Sequence, residues 1–119
     1  MAGTIFYLVI SFLVSLVFIL LGFRQYRAEK PVTINTGEKP PREEELTSVA
    51  EWNHRHGRNF IILGCLLFLT LSVFPFAIEK ADSAALPVLI LMLVLSAEAA
   101  WVLLEHRAMK KSMIKSAPV

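Results

Sequence analysis

Cysteine is almost missing from this chain. Cys65 stands alone among 119 residues, so no internal disulfide can form and cysteine usage says nothing of the redox compartment. Aspartate is as scarce, with Asp82 the single example. The five glycines are scattered, no Gly-rich phosphate loop is built from them, and no nucleophile elbow occurs. Chemistry on lipids or phosphates normally needs several convergent acids or a metal cage, and the acids here are too few and too dispersed. Basic excess is small as well, a formal net charge of +2, which gives no support to nucleic-acid binding. These gaps point away from an enzyme, and neither cofactor nor metal is expected.

Apolar surface is what the chain has. Its residues are 55% hydrophobic and its mean hydropathy is +0.59, more than one domain of this length can hide from water. The charges cluster and leave three long apolar runs, at about 4–23, 60–78 and 84–104. Each is roughly 20 residues, enough for a helix to cross a bilayer core of about 30 Å. The first run has no basic segment before it and no small-residue cleavage site after it, so it reads as a retained helix. Only residues 79–83 separate the second run from the third, which forces an antiparallel hairpin. Asp82 or Ser83 suits the cap of the third helix, Pro87 its first turn, and Pro75 should bend the end of the second. The predicted fold is all-α, an integral membrane three-helix bundle forming a single domain.

Basic residues set the expected orientation. Arg24, Arg27, Lys30, Lys39, Arg42, Arg55 and Arg58 fill the first connection, and Arg107, Lys110, Lys111 and Lys115 fill the tail. The N-terminal segment has none and the hairpin loop has only Lys80. The positive-inside rule then puts the N-terminus outside the cell membrane and the C-terminus in the cytoplasm. Tyr7, Tyr26, Trp52 and Trp101 fall near span ends, as an aromatic belt would place them.

The cytoplasmic connection, residues 24–59, divides in two. Its first half is rich in turn formers (Pro31, Asn35, Gly37, Pro40, Pro41) and reads as irregular. Its second half predicts an amphipathic surface helix over about 42–56, started by Pro41 and with Glu43, Glu44 and Glu45 in the first turn. Leu46, Val49, Trp52 and His56 would form its narrow apolar stripe.

The stretch from Thr36 through Lys39, Pro40 and Pro41, followed by Leu46-Thr-Ser-Val-Ala-Glu-Trp52-Asn53, then Gly57 and Gly64, resembles small uncharacterised three-span bacterial membrane proteins. In these an aromatic-Asn pair and a glycine precede the second span. The same stretch is loosely similar to the toxin-immunity membrane family typified by the SDP-toxin immunity protein. Trp52, His54, Arg55 and Gly57 are the counterparts of that family's Trp, His/Arg pair and Gly. The resemblance implies a membrane location and a role in immunity or regulation, and no catalytic residue.

Among single residues Glu98 stands out, about 9 Å inside the third span from its cytoplasmic end. A charge there costs roughly 2.5–3.5 kcal/mol on insertion scales and calls for a partner. Arg58 and Asn59 are the expected partners in depth; a proton- or ion-handling carboxylate and simple snorkelling are the competing readings. Trp101 and Glu105 share the face of Glu98. Ser11, Ser15 and Gly22, then Gly57 and Gly64, then Ser96 and Ala100 are small residues that suit close helix packing. Trp52, Asn53, His54, Arg55, His56, Trp101 and Glu105 are candidate interfacial contacts. His54 and His56 point apart on a helix, though His106 can join one of them from the third. Arg24, Arg27 and Lys30 are expected to meet anionic lipid head groups. Three spans enclose little interior, so a homo-oligomer or a larger membrane partner is expected. The functional expectation is a non-enzymatic protein acting through protein or lipid contacts, as an immunity, regulatory or accessory subunit. The alternative is a small oligomeric proton- or cation-coupled transporter or channel using Glu98.

Overall fold

Each apolar run becomes a helix longer than itself. The computed structural model describes residues 2–33 and 39–114. Asn35, Thr36 and Gly37 of the connection and Lys115 of the tail lie outside the described residues. α1 (Ala2–Tyr26), α2 (Val49–Lys80) and α3 (Ala85–Met113) are long and apolar enough to cross a membrane, and the chain is a three-helix, multi-pass membrane protein. At 32 residues α2 is about 48 Å long, so about a third of it projects beyond a bilayer core. The longest dimension, 58 Å, agrees with a bundle that continues past the membrane.

The projecting part corrects the expected surface helix. Residues 42–56 do not form one separate helix. Glu43–Glu45 is a single 3-10 turn, and Leu46 is extended backbone. The α-helix starts at Val49 because the Ser48 hydroxyl accepts the Glu51 N–H at 3.2 Å, and it then runs unbroken into the second span. Leu46 and Thr47 have a different use. Leu46 pairs antiparallel with Ile114, and the Thr47 N–H donates to the Met113 carbonyl at 2.8 Å, closing the connection onto the end of α3. The apolar stripe faces protein: Leu46 and Trp52 are buried with Met109, and Val49, Met113 and Ile114 pack against them. Outside this core Arg42 grips Glu45 at 2.9 Å, and this hydrogen bond holds the exposed Glu45 carboxyl below its usual range.

α2 is the central helix and packs against both others. Glycine decides the α1–α2 crossing. A Cβ built on Gly22 would lie 2.6 Å from the Gly57 carbonyl oxygen, and one on Gly57 would collide with the Gly22 carbonyl oxygen. Backbone rests on backbone there, as small residues permit in membranes. Gly64 repeats the motif about two turns along, where a Cβ would stand 2.8 Å from the Ser15 carbonyl oxygen. Ser11 and Ser15 are buried on the same face of α1. At the other end the hairpin closes with the Ser83 hydroxyl accepting the Ala85 N–H at 3.2 Å. Pro75 lies within α2, which continues past it to Lys80.

Candidate functional site

The polar side chains gather at the end of the bundle remote from the hairpin. Asn53, fully buried on α2, stitches the segment after α1 to the helix. Its amide nitrogen donates to the carbonyls of Ala28 (3.0 Å) and Lys30 (2.8 Å), and its amide oxygen accepts the Val32 N–H (3.0 Å). Beside it the Trp52 indole N–H donates to the Val32 carbonyl at 2.6 Å. Two adjacent residues thus satisfy four backbone groups of a turn that has no ladder of its own.

One turn further along, α2 meets α3. Arg55 holds Glu105 in a two-pronged grip, Nε to Oε1 and Nη2 to Oε2, both at 3.2 Å. The Asn59 amide donates to Glu105 at 3.3 Å. His56 and His106 are buried, with ring nitrogens 3.3 Å apart, and Trp52 stands edge-on to both. His54 points away, exposed and stacked on Tyr26 at 4.1 Å. The sequence therefore brings His106 to His56 and not to His54. Among the described residues no three potential ligands converge on a metal position.

Glu98 lies deeper and has another partner than expected. It is 8% exposed, and the Thr70 hydroxyl lies 3.0 and 3.1 Å from its two carboxylate oxygens. Neither Arg58 nor Asn59 touches it: Arg58 is exposed, and Asn59 is engaged with Glu105. The antiparallel register explains the correction. Asn59 is level with Glu105, and Glu98 sits about two turns farther into the span, out of reach of the α2 start. Counting equal distances back from the hairpin puts Glu98 level with residues 64–70, where Thr70 is the only hydroxyl. That count was the available signal.

Beyond the Thr70–Glu98 contact α2 and α3 part. A cleft of about 700 Å³ opens between them and runs to the hairpin, lined chiefly by apolar side chains. Trp101 packs against Phe60, Leu63 and Val102. Ser96 and Ala100 are exposed on this chain, because α3 turns Glu98, Val102, His106 and Met109 inward instead. Arg24, Arg27 and Lys30 are exposed at the end of α1 and just past it.

Comparison with family models, with curated proteins and with solved structures finds no match.

The ion pair makes a definite prediction. Arg55→Ala and Glu105→Ala should be non-additive in a stability cycle, with a coupling of about 1 kcal/mol, since the pair is two-pronged and only partly exposed. Arg58→Ala and Glu98→Ala, which share no contact, should add. Reversible unfolding in mixed micelles reads both cycles.

Proposed function

We propose that this chain is a non-enzymatic integral membrane protein that works by contact, as an immunity, regulatory or accessory subunit. The observation that carries the reading is the open row of helices. α2 packs on both sides, whereas α3 gives the row one face and leaves the rest of its surface bare. Ser96, Ala97, Ala99 and Ala100 are all exposed there, beside the exposed Leu103 and Leu104. Small residues let a further helix come close, and in lipid such packing drives association where apolarity alone does not. The row is completed by a second copy or a larger membrane partner. Asn53, Trp52, Arg55 and Glu105 serve this role from behind, by fixing the helices that present the bare face.

The proposed setting is the cell membrane of a bacterium, with the N-terminus and hairpin outside and the connection and tail in the cytoplasm. The excess of Lys and Arg in the connection and tail supports this. Arg24, Arg27 and Lys30, all exposed, would then face anionic lipid head groups. With Cys65 replaced by serine, an impermeant maleimide added to whole cells should label Ser83→Cys and spare Thr47→Cys; the opposite pattern would invert the orientation. Cross-linking from α3 in native membranes tests the contact role, with discrete adducts expected from Ser96→Cys and Ala100→Cys.

A further inference from the structure

The cleft between α2 and α3 has a shape and a chemistry that the contact role leaves unused. It begins where the Thr70 hydroxyl meets Glu98 and widens towards the hairpin. Leu69, Val73, Phe74, Ile90, Leu91 and Val94 make its walls, and Thr70 stands at its deep end. Glu98 is one helical turn past Val94 on the same side of α3. Its volume, about 700 Å³, lies within the range of small-molecule sites. The walls belong to helices that cross the bilayer, so a ligand entering sideways comes from among lipid tails.

Glu98 does not line the cleft itself; it lies just behind the deep end, joined to it through the Thr70 hydroxyl, and it is electrostatically incomplete. An ionised carboxylate offers about four acceptor positions, and the single Thr70 proton fills one at a time. Among the described residues Glu98 has no other hydrogen bond and no cationic neighbour. Lys80 lines the far end of the cleft beside Asp82, about 15 Å from Thr70 along α2, too far to serve. A carboxylate placed within a span takes a counter-charge or a proton. An acyl chain would fill the cleft without supplying either, and an anionic lipid would oppose the charge.

We infer that this cleft binds a lipophilic organic monocation, its charge against Glu98 and its apolar groups along α2 and α3. Thr70 is the positioning residue that aims the carboxylate. The inference concerns binding alone and is independent of the contact role.

Tetraphenylphosphonium tests it, with full-length protein in zwitterionic nanodiscs and empty nanodiscs subtracted for partitioning. Saturable binding of one cation per chain is expected. Glu98→Gln should weaken it by at least about tenfold, a difference well outside the scatter of such titrations. Leu91→Trp, which fills the cleft and keeps Glu98, should abolish it. An uncharged tetraphenyl analogue should not compete. Absence of saturable binding would overturn the proposal, as would unchanged affinity in Glu98→Gln. Equal competition by the uncharged analogue would show an apolar groove that takes an acyl chain, and would overturn it too. A dimer whose second copy seats its own helix in the cleft would have the same meaning.

Discussion

Gly57→Val should separate α1 from α2 and cost more than about 3 kcal/mol, beyond the usual penalty for overpacking a core. The reason is that the neighbours of Gly57 are main chain. A Cβ there meets the Gly22 carbonyl oxygen, the Tyr26 nitrogen at 2.7 Å and the Tyr26 Cβ at 2.8 Å. A flexible side chain would move aside, but two helical backbones can yield only by parting. Gly57→Ala should show a smaller loss, about 1–3 kcal/mol, as the helices shift to admit one methyl group. Gly3 supplies the control: nothing lies within 4 Å of its built Cβ. Gly3→Ala should therefore change stability by no more than about 1 kcal/mol, the helix-propensity difference alone. Unfolding followed by the fluorescence of Trp52 and Trp101 measures all three.

The second large effect is expected at Asn53. Asn53→Ala leaves the Val32 N–H and the Ala28 and Lys30 carbonyls without their side-chain partner. Each buried group so exposed costs about 1–3 kcal/mol, and since water reaches part of this segment the total should be near 3 kcal/mol. The identity of the lost bonds can be read directly. In the wild type the Val32 amide is held by the Asn53 oxygen and should exchange slowly with solvent. In Asn53→Ala it should exchange fast. Asn53→Asp keeps an acceptor for that amide while losing both donations, so Val32 should stay protected although stability falls. Uniform loss of protection in both variants would mean that Asn53 acts through packing and not through these bonds.

The membrane helices were the legible part of the chain. Runs of about 20 apolar residues leave few choices for a backbone in lipid, because every N–H and C=O must be satisfied within the segment. The short hairpin followed from local rules, but the cap of α3 did not: Ala84 stands at that position, and the Ser83 hydroxyl takes the Ala85 N–H from just outside it. Helix starts were less legible outside the apolar runs. Pro41 and three glutamates are a fair helix signal, yet Leu46 stays extended because it pairs with Ile114, more than sixty residues away. No local pattern carries that information. The site was legible as residue types and not as partners. Trp52, Asn53, Arg55, Glu105 and Glu98 stood out, while the bonds they make depend on the register between helices. Depth counted from span ends links Glu98 to Arg58; with Asn59 level with Glu105, Glu98 lies opposite residue 66, and the Thr70 hydroxyl one turn further on reaches it. The His56–His106 pair is similar, since two histidines fifty residues apart meet only once α2 and α3 are docked.

The contact role rests on the bare face of α3, and the most direct measurement is site-specific cross-linking in native membranes. In a Cys65→Ser background, Ser96→Cys and Ala100→Cys probe that face, and Leu13→Cys on the lipid-exposed side of α1 serves as reference. The account predicts one discrete adduct of constant mass from both α3 positions and none from Leu13→Cys. The same mass should return whether the partner is a second copy or a larger protein. No adduct from α3, or an indiscriminate ladder from all three positions, would contradict it and leave α3 facing only lipid.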